Sequence, residues 1–236
     1  MPGAPITAKR KSWGLRAVVF DFDGTIADTR INFGLMRQRV AEVLEALGAW
    51  EEGLEGRYVL EMVEAAVDVA RQRGLDAQAV RAAAEEEIRA VEYEACGRAR
   101  LCAGAAEAVA RLKAAGLRVG VITRNCGAAV EMVLSRHPLP LDAVVPRDSV
   151  LRPKPHPAHL MEALNAMGVA PSQAALVGDH VTDVQCARAA KVALAVAVAG
   201  ASSSPSELRA AGADFVACNL CEAADFLLSH GDSLHE

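Results

Sequence analysis

Long apolar runs are missing from this chain. The longest, Val192 to Ala201, has the length of a buried strand with its following turn, well short of the roughly 20 residues that cross a bilayer. Lys9, Arg10 and Lys11 are followed by no apolar stretch, so the positive flank of an export signal stands without its hydrophobic part. Met1 to Gly14 therefore reads as a frayed tail on a soluble protein. An excess of positive charge is missing too. The 25 Lys and Arg against 30 Asp and Glu leave a formal net charge of -5, the wrong sign for neutralising nucleic-acid phosphates or anchoring at an anionic membrane. Neither nucleic acid nor membrane is an expected partner. The six cysteines are scattered, without the dense framework of a small secreted domain, so reduced thiols and a cytoplasmic location are expected. Cys218 and Cys221 form a CxxC, but no second pair sits at zinc-ribbon spacing. Repeats and low-complexity tracts are absent beyond the short Ser202 to Ser206 loop.

What is present is core material. Hydrophobic residues make up 52% and charged residues 23% of 236, enough apolar surface to offset the cost of ordering the backbone. The length fits one large α/β domain, or a core carrying a smaller insertion. Valine-rich runs at Val18 to Phe20, Val119 to Ile122, Val144 to Val145, Ala174 to Val177 and Val192 to Val198 have the texture of strands buried on both faces. Helical patterns lie between them: Ala105 to Ala115, Ala128 to Ser135, Pro157 to Met167 and Thr182 to Ala190. This alternation predicts an α/β doubly wound parallel sheet, which binds ligands at the carboxyl ends of its strands.

One stretch breaks the alternation. From Arg30 to Arg100 no strand-like run occurs, and helices are predicted at Asn32 to Leu47, Val59 to Arg73 and Asp76 to Cys96. Glu85, Glu86 and Glu87 read as a solvated helix face. The expected organisation is a tail at 1–14, a core at 15–29 and 101–236, and an inserted helical cap at 30–100 that resembles a lid.

Four polar signals fall where the predicted strands end. Asp21-Phe22-Asp23-Gly24-Thr25 follows the first. In extended chain Asp21 and Asp23 point the same way, and close carboxylates repel unless a cation or proton lies between them. Magnesium suits such hard oxygen ligands. Gly24 lets the chain turn sharply, although two aspartates and a glycine also make an ordinary turn. Thr123 ends the second run, followed by Arg124 and Asn125; its hydroxyl and the next amides can meet a phosphate oxygen, or it caps a helix. Lys154 sits between Pro153 and Pro155, either as a rigidly presented ammonium or as a surface lysine in a turn. Asp179 and Asp183, in Gly178-Asp179-His180-Val181-Thr182-Asp183, share the first turn of the next helix if it has begun, and Asp183 alone is also an ordinary N-cap.

With these four motifs the chain resembles the haloacid dehalogenase-like superfamily of Asp-nucleophile phosphohydrolases, from about Arg16 to Gly200. The resemblance implies that Asp21 attacks phosphorus, that Asp23 protonates the leaving alkoxide and then activates water, and that Thr123 and Lys154 hold the phosphoryl oxygens beside Gly24, Arg124 and Asn125. Magnesium would sit between Asp21, the backbone carbonyl of Asp23 and Asp179, with Asp183 binding it directly or through its waters. Asp23 argues against dehalogenase and phosphonate chemistry, and Thr25 against the sugar phosphate mutases, which remain the enzymatic alternative. The helical insertion resembles the cap of the phosphoglycolate phosphatase subgroup, so a small phosphomonoester is the expected partner of a monomer or homodimer. Arg124 is a departure, since Asn usually follows the motif threonine directly; its guanidinium offers a fork for a substrate carboxylate, or points to solvent. Arg30 and Arg37 are further candidates for such a carboxylate, and His180 receives no role. A signalling receiver would end its first strand in an acidic pair, take phosphate at the end of a later strand and lack the helical insertion. A silent phosphometabolite sensor would lack part of the site.

Overall fold

The computed structural model describes residues 14–200 and 202–229. The predicted tail lies outside the described residues, Gly14 excepted. Six strands form one parallel sheet: β1 (Ala17–Asp21), β4 (Arg118–Thr123), β5 (Ala143–Pro146), β6 (Ala174–Gly178), β7 (Leu194–Val198) and β8 (Phe215–Ala217), in the spatial order β5-β4-β1-β6-β7-β8. The chain steps outward from β1 through β4 to β5, then returns to β6 on the other side of β1. That reversal opens a crevice at the carboxyl end of β1, where ligand sites of doubly wound sheets form. A second, antiparallel pair joins β2 (Ala27–Asp28) to β3 (Arg100–Leu101). It tethers the two points at which the chain leaves and re-enters the core.

β1 is buried along its whole length, which is why it reads as an unbroken apolar run rather than an alternating one. Ala17 and Val19 share one cluster with Leu160, Leu164 and Met167 of α6 (Pro157–Met167) and with Val184 and Ala187 of α7 (Val181–Ala190). Elsewhere α4 (Ala105–Ala114) packs against β4 and against α9 (Leu220–Leu228), which also lies on β7 and β8. Phe215 of β8 stacks on Phe226 of α9 with ring centroids 4.2 Å apart and the ring planes 2° from parallel. α8 (Pro205–Ala210) opens with a capping box between Ser204 and Glu207.

Four outcomes differ from the sequence reading: the β2–β3 pair had no strand-like signal, and β5, read as buried on both faces, is an edge strand with Val144 39% exposed; the other two concern β7 and the elements after residue 204. β7 starts at Leu194, not Val192, because Lys191 takes a left-handed conformation (φ 56°) and the Val192 amide closes the end of α7 on the Ala187 carbonyl. The elements after residue 204 were not anticipated: β8 has only three residues, too few for a periodic signal, and α8 and α9 are short helices of six and nine residues.

The chain divides into two compact units. One comprises the residues up to Asp28, Arg100–Gly127 and those from Leu134 on; the other comprises Thr29–Ala99 and Ala128–Val133, the middle of α5 (Gly127–Arg136). The second unit is built on α1 (Phe33–Ala46), α2 (Val59–Gln72) and α3 (Ala77–Arg98), packed around Met36, Val40, Leu44, Met62, Val63, Ala66 and Ile88. Asn32 and Asp76 are N-caps, each accepting backbone amides of the following turn. Leu47 and Arg73 close the carboxyl ends of α1 and α2. These polar starts and tight ends explain why the helices are legible.

Candidate active site

Three strands and one loop bring polar side chains to the carboxyl edge of the sheet. Asp21 is the last residue of β1, Thr123 of β4 and Gly178 of β6. Lys154 follows β5 and precedes α6, between Pro153 and a cis-linked Pro155. Asp21, Thr123, Lys154, Asp179 and Asp183 are all buried, which is unusual for charged groups unless they are paired or hold a metal.

Lys154 is the one lysine or arginine among the described residues that is buried. Its ammonium donates to Asp21 Oδ1 and, at 2.7 Å, to Asp183 Oδ1. Burial alone would discharge it, but Asp183 and Asp21 outweigh that and raise its pKa. Asp183 occupies the third position of α7, where its Oδ2 accepts the His180 amide at 3.0 Å. His180 is the N-cap, its Nδ1 accepting the Thr182 amide at 3.2 Å. Asp183 is thus held from two sides, and His180 gains the role the sequence left blank. Asp179 accepts from Ser202 at 2.5 Å through Oδ2. Ser202 was missed by sequence reading, since a serine in a polar loop carries no signal of its own.

One oxygen each of Asp21, Asp179 and Asp183 lies within 4.8 Å of the others. Against these three carboxylates stands the single Lys154 ammonium. Burial drives the Asp21 carboxyl well above its ordinary range, Lys154 pulls it back, and Asp183, Asp179 and Asp23 push it up again. Burial likewise raises Asp179, against the hydrogen bond from Ser202 and with help from Asp183. Three negative charges and one positive leave two uncompensated, so a divalent cation with oxygen ligands fits this donor set. No cysteine joins a metal-ligating cluster among the described residues. Cys218 is exposed, Cys221 half-buried, and all six thiols are free.

The glycines of the site make room. Gly24 has φ +83° and its amide donates to Ala27 O at 2.8 Å, closing the turn after Asp23. A Cβ there would lie 2.5 Å from Asp179 Oδ2, so only glycine satisfies both the backbone and the neighbouring carboxylate. A Cβ at Gly178 would collide with the Asp183 carboxyl.

Asp23 turns to different partners from Asp21. Its Oδ2 accepts from Thr123 Oγ1 at 2.8 Å and its Oδ1 from Asn125 Nδ2 at 3.1 Å, while Thr123 Oγ1 accepts the Asn125 amide at 3.0 Å. The same-side expectation for extended chain gives way because β1 ends at Asp21 and Asp23 already lies in the turn. Two carboxylates two residues apart are thereby sorted into different environments, one against an ammonium and one against neutral donors. Asn125 serves this site although Arg124 displaces it by one position. Arg124 itself donates from Nη1 to the Lys154 carbonyl at 3.2 Å, so its guanidinium is engaged with the backbone of the lysine loop. Arg30 and Arg37 are exposed residues of the helical unit.

The family model described as haloacid dehalogenase-like hydrolase matches residues 18–197. A phosphoglycolate phosphatase of Mesorhizobium japonicum is 31% identical over 186 residues, 74% of this chain and 79% of that protein. One of Rhodospirillum rubrum is 30% identical over 198 residues, 80% of this chain and 82% of that protein. Among solved structures, CbbY from Rhodobacter sphaeroides in complex with phosphate aligns with a TM-score of 0.61 at 27% identity, covering 88% of this chain and 96% of the other.

Proposed function

The chain belongs to the haloacid dehalogenase-like hydrolases and is a phosphoric monoester hydrolase, and we propose that it uses magnesium and an aspartyl phosphate on Asp21 to hydrolyse a small phosphomonoester. The observation that carries this is the buried arrangement of Asp21, Asp179 and Asp183 around one lysine, with Asp23 set apart on Thr123 and Asn125.

Asp21, Asp179, Asp183 and the backbone carbonyl of Asp23 would hold magnesium, which supplies positive charge to a transferring phosphoryl group. In the first half-reaction a carboxylate oxygen of Asp21 attacks phosphorus as the ester oxygen leaves, and Asp23 gives that oxygen a proton. In the second, Asp23, now a carboxylate, takes a proton from water as the water attacks the phosphoryl group, which frees Asp21 and releases inorganic phosphate. Lys154 stabilises charge on the phosphoryl oxygens and keeps Asp21 aimed. Thr123 and Asn125 hold Asp23 in place and, with Gly24, present donors to the phosphate. A phosphoglycolate-like compound is the first candidate substrate, since two of the relatives carry that name. No helix among the described residues is long and apolar enough to cross a membrane; with six free thiols, a cytoplasmic enzyme acting on a soluble metabolite is part of this proposal. The division into a core at 15–29 and 101–236 and a specificity-bearing cap at 30–100 is part of it too.

The test is phosphate release by the purified chain from a panel of two- to six-carbon phosphomonoesters and an aryl phosphate, with magnesium or with EDTA. Magnesium-dependent release supports the proposal. Full release in EDTA removes the metal from it, and interconversion of a sugar phosphate without net release would instead make the chain a mutase.

A further inference from the structure

His159 is fully buried in the first turn of α6 and takes part in neither the metal cluster nor the Asp23 group. Both of its ring nitrogens are used. Nδ1 accepts the backbone amide of Lys154 at 3.0 Å, and Nε2 lies 2.9 Å from the carbonyl of Val145 in β5. A backbone amide can only donate and a carbonyl can only accept, so the ring is neutral with its proton on Nε2. The imidazole is therefore a strut between the sheet and the peptide that carries Lys154. From the other side the Arg124 guanidinium holds the Lys154 carbonyl at 3.2 Å, and Arg147 holds the Arg124 carbonyl at 3.0 Å.

The lysine side chain is long and rotatable, so the position of its ammonium depends on where its backbone is fixed. A leucine at 159 would fill the same interior but leave a buried amide and a buried carbonyl without partners, which is costly. We infer that His159 is a positioning residue for Lys154: its Nδ1 holds the Lys154 amide to the first turn of α6 and thereby sets where the ammonium meets Asp21, while the Val145 bond fixes the tautomer that makes Nδ1 an acceptor. This role rests on the phosphoryl-transfer function proposed above.

Two isosteric variants separate positioning from packing. H159N places its amide near Nδ1 and keeps an acceptor for Lys154; H159Q places its amide near Nε2 and keeps a donor for Val145. With the full chain, magnesium and the best ester of the panel, H159Q is expected to lower kcat about 10- to 100-fold with KM within about 3-fold, while H159N stays within about 5-fold of the parent. Melting temperatures of the two should fall alike. Equal losses of kcat in both variants, or no loss in H159Q, overturn the inference. Should H159Q not fold, H159N decides alone: a folded H159N that loses more than about 10-fold in kcat overturns it. Lys154→Ala is measured beside them. If it keeps full turnover, the catalytic function assigned to Lys154 fails; if it is inactive while H159Q is fully active, only the role of His159 fails.

Discussion

The ammonium of Lys154 donates to Asp183 Oδ1 at 2.7 Å while also pairing with Asp21 Oδ1. An aspartate that ends β1 and one in the first turn of α7 are thus joined through a lysine from the loop after β5, and the crevice at the strand ends becomes one electrostatic unit.

Removing that lysine leaves three buried carboxylates with no cation of the protein's own. Lys154→Met should destabilise the metal-free protein by ~3–5 kcal/mol, the usual cost of breaking a buried pair from one side. It should also lower kcat/KM about 1000-fold or more, the scale of losing a main charge-stabilising donor. Denaturant melts in EDTA and steady-state kinetics in magnesium check the two effects separately. A melt unchanged within ~0.5 kcal/mol would mean that the pairs with Asp21 and Asp183 carry no net stability.

The uncompensated charge of the cluster predicts that magnesium stabilises the fold. At 100 times its Kd the ion should add about 2.7 kcal/mol, seen as a higher melting temperature than in EDTA. Asp179→Asn and Asp183→Asn should each reduce that increment. A melting temperature indifferent to magnesium would contradict the assignment of the cluster as a cation site.

In the proposed mechanism Asp23 works in both half-reactions, and the two can be told apart by leaving group. An aryl phosphate needs little protonation to depart, so Asp23→Asn should still transfer its phosphoryl group to Asp21 but stall before hydrolysis. Stopped-flow mixing should then show a burst of about one aryl alcohol per active site followed by slow turnover. Equal loss of burst and turnover would move Asp23 out of the second half-reaction.

His159 predicts an acid limb in stability. Burial is the main cause that lowers its pKa to about 4, with Lys154 and Arg124 adding to it against the Val145 hydrogen bond and Asp183. Between the ordinary value near 6.5 and that depressed value, the unfolded chain binds the proton and the folded chain does not. Stability therefore falls as pH drops through this window, by up to ~3 kcal/mol at its lower end. Comparing H159Q with the parent in magnesium isolates the effect, because the variant should lack that part of the slope. Identical slopes would contradict the neutral buried ring.

Much of the site was legible because a doubly wound sheet forces it to be. Buried parallel strands are apolar throughout, so a polar residue that ends such a run, as Asp21, Thr123 and Asp179 do, marks the edge where ligands bind. Lys154 was legible for another reason, its place between two prolines. The helices of the inserted stretch were legible to within two residues, since Asn32 and Asp76 cap the first and third and Leu47 and Arg73 close the first two. The divergence of Asp23 from Asp21 was not, because it depends on the residue at which β1 stops. Nor were Ser202 and His159: a polar loop serine and a histidine on an apolar helix face look the same whether or not they touch a functional group. Arg124 had two readings in sequence, and its bond to the Lys154 carbonyl belongs to neither.

On the proposed mechanism phosphate passes through Asp21, and rapid quenching with a labelled ester captures that transfer. Acid-quenched protein, digested and mapped, should carry a hydroxylamine-labile phosphate on the peptide that contains Asp21, and Asp21→Asn should carry none. Full phosphate release with no labelled protein, or label on any other residue, would contradict it.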